Sequence, residues 1–137
     1  MKSSILYRIA AVLLVLFAAG HTFGFSQVDP APRVSALVAS MQSIHFDMLG
    51  SQRSYWDLFL GLGYIVGLFY LFAAALAWQL GGLPAEALAR MRLTTWAFAA
   101  VFAGVLALST IYMFLVPIVF AAAITLCLIA AAWRAAK

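Results

Sequence analysis

The stretch LTTWAFAAVFAGVLALSTIYMFLVPIVFAAAITLCLIAAAW, residues 93–133, runs without a formal charge from Leu93 to Trp133. As one continuous helix it would be about 60 Å long, twice the roughly 30 Å thickness of a bilayer's hydrocarbon core. It therefore reads as two membrane spans joined by a tight hairpin. Pro117 is the one strong breaker, because its ring drives Val116 out of the α region. The pattern predicts helices over 91–114 and 117–134.

The rest of the chain agrees. Of 137 residues, 67% are apolar and 9% charged, against about 25% charged in soluble domains. Too few charges remain to wet a globular surface, which excludes a soluble enzyme, a disordered tail and a nucleic-acid binder. The length allows one domain, 1–137, with four or five crossings at about 20 residues each. The lone cysteine, Cys127, lies inside an apolar run, so no intrachain disulfide or CxxC motif exists. It reads as a small hydrophobe.

Upstream of the long run, Lys2 and Arg8 precede an apolar segment that also has the look of a secretory signal. The segment continues through Phe23 and Phe25, which favours a retained first span over 5–25. A further span over 55–80 opens on the interfacial pair Tyr55 and Trp56 and carries Gly61, Gly63 and Gly67. Gly63 and Gly67 have the GxxxG spacing that lets a neighbouring helix approach closely. Gly81, Gly82 and Pro84 end it, and residues 83–92 form a short loop. Between the first two spans, Asp29 is placed to cap a helix with Pro30 at its first position. Val34, Leu37, Val38, Met41, Ile44 and Met48 then recur at helical spacing. This predicts an amphipathic helix over 30–49, lying in the interface or folded over the spans as a lid. The expected architecture is an all-α membrane protein: a four-transmembrane-helix bundle with an amphipathic interfacial helix between spans one and two.

Charge placement sets the orientation. With a cytoplasmic N-terminus, Lys2, Arg8, Arg90, Arg92, Arg134 and Lys137 fall inside, and only Arg33 and Arg53 outside. Trp78, Trp96 and Trp133 then make an inner aromatic belt, with Trp56 and Tyr112 near the outer one. The expected location is a bacterial inner membrane, crossed several times, with both termini cytoplasmic.

This orientation gathers His21, His45, Asp29, Asp47, Asp57, Tyr55 and Tyr112 at the outer end. Asp57, at the edge of a span, is the sharpest candidate, since an ionisable group there needs a partner or a cavity. It shares a helix face with Ser54, Gly61 and Tyr64. Its structural alternatives are a pair with Arg53 or a helix cap. His21 is the natural acid–base companion, or simply a bond to a helix end. The candidate ligand-binding set is His21, His45, Asp57, Tyr64 and Tyr112, with His21 and Asp57 the catalytic candidates. Gly61, Gly63 and Gly67 are the helix-packing candidates. His45 falls on the apolar side of the connecting helix, and Asp47 does not. No HxxxH or comparable spacing points to a metal or a bis-histidine haem, so neither metal nor cofactor is expected.

Two patches, Gly20-His21-Thr22 and Arg53-Ser54-Tyr55-Trp56-Asp57 with Gly61 and Gly63 downstream, resemble a family of small bacterial four-span inner-membrane proteins. That family brings no established activity, so the resemblance implies a layout only. In layout alone the chain is also similar to DoxX-like and EXPERA proteins, and no acid or histidine motif is carried over from them residue by residue. The expected function is an accessory subunit of a membrane complex, meeting other subunits through the glycine face of the second span, or a binder of a lipid or quinone. The alternative is a membrane enzyme doing acid–base chemistry on an apolar substrate at the outer end. The lipid bilayer is the expected surround, and no nucleic-acid partner is expected.

Overall fold

The computed structural model describes residues 3–135 and is mostly helical. Lys2 and Lys137, two of the residues in the charge count, lie outside the described residues. In chain order the elements are α1 (Ser3–Phe25), α2 (Pro32–Ser43), β1 (His45–Met48), β2 (Ser51–Ser54), α3 (Tyr55–Gly82), α4 (Ala85–Arg90), α5 (Arg92–Tyr112) and α6 (Leu115–Ala135). Four of them, α1, α3, α5 and α6, are long and apolar enough to cross a membrane. Their 23, 28, 21 and 21 residues correspond to about 35, 42, 32 and 32 Å, each at least the hydrocarbon thickness. Exposed large apolar side chains, Phe69, Phe72 and Leu126 among them at 67% each, are what helices that face lipid carry.

Contacts group the chain into two units. One takes the chain up to Phe17 together with Tyr70 onward; the other is Ala18–Phe69. The long helices α1 and α3 each contribute a segment to both.

In the first unit small side chains let helix backbones close up, as membrane helices require when no hydrophobic force drives them together. Ala10, Ala11, Ala73, Ala74, Ala77, Ala99 and Ala131 are buried beside Tyr7, Leu14, Leu80, Ile124 and Leu128. Phe17 stacks on Phe120 at 5.5 Å between centroids and tilts against Tyr70 at 4.7 Å. Buried Thr125 donates its hydroxyl to the Phe102 carbonyl at 2.9 Å, fastening α6 to α5. A Cβ on Gly81 would stand 3.0 Å from Arg8 Cγ and 3.1 Å from the Ser4 carbonyl oxygen. This glycine lets α3 lie close to the start of α1. The half-buried Cys127 is a free thiol.

The α5–α6 hairpin turns earlier than proline alone predicts. Met113 is extended (φ −117°, ψ 170°) and ends α5. Helix α6 begins at Leu115, with Pro117 inside its first turn. First-turn amides have no intrahelical acceptor, so proline starts that helix and does not break it. The expected loop over 83–92 contains a short helix, α4, with Glu86 in its first turn and Arg90 in its last, the order the helix dipole favours.

The second unit corrects the connecting segment. Its helix starts at Pro32, not Pro30, with Ala31 before it and no side-chain cap. Asp29 instead turns the chain just upstream, where its carboxylate accepts the Ala31 N–H at 2.8 Å. The helix ends at Ser43 rather than 49, because Ile44 is already extended (φ −84°, ψ 108°). Residues 45–54 then form an antiparallel hairpin, with His45 opposite Ser54 and Met48 opposite Ser51. Leu49 (φ 53°) and Gly50 (φ 85°) make its two-residue turn, the mirror-image type that matches strand twist. The Asp47 carboxylate accepts the Gly50 N–H at 2.7 Å. Ile44 and Met48 therefore continue the helical spacing in sequence only. Helix α2 buries none of its residues in protein.

Candidate functional site

The helix-packing and outer-end candidates fall mostly in the second unit, where two short sequence patches meet. Gly63 and Gly67 bare one strip of α3, and the last turns of α1 lie on it. The Phe25 ring occupies the space a Cβ on Gly63 would need, and the Thr22 hydroxyl oxygen would be 2.8 Å from a Cβ on Gly67. Tyr64 meets Phe25 edge-on at 5.1 Å, and Phe59 does so at 5.9 Å. Gly61 has nothing within 4 Å of its Cβ position. The glycine strip thus accepts a helix of its own chain at Gly63 and Gly67, and only Gly61 faces open space.

That approach places His21. Its Nε2 lies 3.0 Å from the Gly63 carbonyl oxygen. A carbonyl oxygen only accepts, so Nε2 carries the hydrogen and donates. The imidazole also stacks on Phe25 at 5.1 Å.

Asp57 has a different employment. Ser54 immediately precedes α3, and Asp57 is the helix's third residue. The Ser54 hydroxyl accepts the Asp57 N–H at 3.2 Å and donates to Asp57 Oδ2 at 2.9 Å. The Ser54 N–H donates to the same carboxylate oxygen at 2.8 Å. This is a reciprocal capping box, which satisfies two amides otherwise orphaned at a helix start. Of the two structural roles open to Asp57, the cap is the one formed: the Arg53 guanidinium donates instead to the Gln52 carbonyl at 2.8 Å. The aromatic pair Phe46 and Tyr55, 4.9 Å apart, pins the hairpin beside the same helix start.

His21 and Asp57 bond to different groups, the Gly63 carbonyl and Ser54. His21 reaches Gly63, six residues along α3 from Asp57, or about 9 Å of helix rise, whereas direct transfer needs about 3 Å. His45 is exposed on strand β1, not on a helix face, and its Nδ1 lies 3.1 Å from the Ser43 carbonyl oxygen. Tyr112 ends α5 in the other unit and is 73% exposed. Among the described residues no group of three or more His, Cys, Asp or Glu side chains converges.

The first unit holds a feature that sequence reading missed. A groove of about 430 Å³ runs between α1 and α3, lined by Ala11, Val12, Val15, Leu16, Leu71, Ala74, Ala75 and Trp78. Ala11 and Ala74 are buried and form its floor. At one end the Arg8 guanidinium lies over the Trp78 ring, 4.8 Å from the centroid, within cation–π range. The signal in the sequence was faint. Arg8, Val12 and Val15 share one helical face, as do Leu71, Ala75 and Trp78, but nothing in either run shows that the two faces oppose each other.

The chain matches no known family model, no curated protein and no solved structure.

Proposed function

We propose that this is a non-catalytic integral membrane protein that holds a hydrophobic ligand of the lipid or quinone class. The observation that carries this reading is the apolar groove of the first unit, whose eight lining residues offer no charged group. Small-molecule sites are concave and mostly apolar, with a few polar groups at one end. Here Arg8 stands at one end. The employment of Asp57 in a helix cap and of His21 on a helix carbonyl also supports it over the enzyme reading. The accessory-subunit reading rested on the glycine strip, much of which is occupied by α1 of the same chain.

In this reading the four long helices form a bundle in a bacterial inner membrane with both termini cytoplasmic. The excess of arginine and lysine on that side is its support. Helix α2 lies in the outer interface, supported by its stripe of Val34, Leu37, Val38 and Met41 and by its lack of protein burial. The resemblance to small bacterial four-span proteins agrees with this layout.

The test is gentle purification followed by native mass spectrometry of whatever accompanies the chain. An apolar small molecule bound in stoichiometric amount is the expected result. A ligand-free monomer refutes the reading, and a stoichiometric protein partner without a small molecule replaces it with the accessory role.

A further inference from the structure

We infer that the groove is a site for one acyl chain of an anionic phospholipid, whose phosphate is held by Arg8. This assignment rests on the hydrophobic-ligand reading above and adds the class of ligand.

Arg8 sits five residues into α1, inside a segment long and apolar enough to cross a membrane. Its one polar-type contact among the described residues is the Trp78 ring, and no carboxylate pairs with it. So close to the helix end, its exposed side chain reaches the membrane–water interface, the depth at which lipid phosphates lie. The side chain is also positioned. Its stem passes over Gly81, where a Cβ would come within 3.0 Å of Arg8 Cγ, and its head is seated on Trp78. A guanidinium over an indole engages it through its π face, and its planar fork of N–H donors can give two parallel bonds to a phosphate.

The groove matches the remainder of such a lipid. It starts at the Arg8–Trp78 end and finishes at Leu16 and Leu71, eight residues along α1 from Arg8, or about 12 Å. Half of the hydrocarbon core is about 15 Å, so the groove stays within a single leaflet. A molecule that fills it has its charged end at the near membrane surface and its chain along Val12, Val15 and Leu16. A phospholipid of that leaflet has this form. Its negative phosphate complements an arginine that meets no carboxylate among the described residues, and basic pockets between membrane helices bind such headgroups.

The test uses the full-length protein in nanodiscs containing equal phosphatidylglycerol and phosphatidylcholine, with native mass spectrometry of the lipids that stay bound. The wild type is expected to retain phosphatidylglycerol preferentially. Arg8→Gln should cut that preference about fivefold, and Ala75→Phe, which fills the groove from its exposed wall, should abolish retention of either lipid. Circular dichroism of both variants checks that the helices persist. If Arg8→Gln retains phosphatidylglycerol as the wild type does, the assignment is overturned. Loss with Arg8→Gln but not with Ala75→Phe also overturns it, since the charge then acts at an open surface. A neutral apolar ligand that ignores Arg8 and is lost with Ala75→Phe overturns the phospholipid while leaving the broader ligand reading standing. No bound molecule in any form overturns both.

Discussion

Replacing Ser54 by alanine separates a structural Asp57 from a catalytic one. The Ser54 hydroxyl makes two of the three bonds in the box, accepting from the Asp57 N–H and donating to its carboxylate. Losing an N-cap hydroxyl costs about 0.5–2 kcal/mol. Ser54 is 3% exposed, so water replaces the lost acceptor poorly and the cost belongs in the upper half, about 1.4 kcal/mol. That is a tenfold increase in local opening, which is read directly as faster amide hydrogen exchange in the first turn of α3. The assay is exchange followed by mass spectrometry on the peptide spanning 54–60, in detergent at constant pH. Asp57→Asn keeps a side-chain oxygen to accept the Ser54 N–H, so its first turn should exchange much like the wild type. Asp57→Ala removes that acceptor and should fray as Ser54→Ala does. The double variant should lose little more than either single one, because both changes remove the same box. The cap account fails if Ser54→Ala leaves exchange unchanged, or if Asn at 57 is as damaging as Ala.

Other consequences are equally direct. Gly63→Ala drives a methyl into the Phe25 ring and should destabilise the protein by about 1–3 kcal/mol in SDS titration. Gly61→Ala meets open space and should be neutral or stabilising by up to about 1 kcal/mol; equal effects at the two positions would contradict the packing described. Thr125→Val keeps the shape but loses the bond to the Phe102 carbonyl, at an expected cost of about 0.6 kcal/mol in the same titration. Leu49 holds a left-handed backbone conformation that costs a non-glycine residue about 1 kcal/mol. Leu49→Gly should therefore slow exchange of the hairpin amides, and faster exchange would argue against the mirror-image turn.

Much of the fold was legible because the bilayer imposes it locally. A run such as 93–133 has nowhere to satisfy its backbone except in helices, and its length demands two of them. The connecting segment was less legible. Ile44 and Met48 fit a helical period, and the competing strand signal spans only four residues on each side of a Leu-Gly turn, a weaker marker than Asn-Gly. Local backbone choice at Ile44, Leu49 and Gly50 decided for the hairpin. In the candidate site the sequence left Asp57 between a pair with Arg53 and a helix cap, and only the bonds to Ser54 decided for the cap. His21 was not readable, because its partner is a backbone carbonyl 42 residues away, and every residue has a carbonyl.

By itself the sequence determined the apolar character of the chain and its four long helices, since each depends on residues close together in the chain. Only the tertiary structure decided what the polar residues do. It put Phe25 into the space left by Gly63, tied His21 to the carbonyl of that same glycine, and set the Arg8 guanidinium on Trp78 at the end of an apolar groove. Each of these contacts joins residues tens of positions apart, and hydrophobic spacing can identify a helix face without saying which face it meets. The residues at 93–133 state that the chain is a membrane protein, while the groove between α1 and α3 arises only when two separate runs pack together.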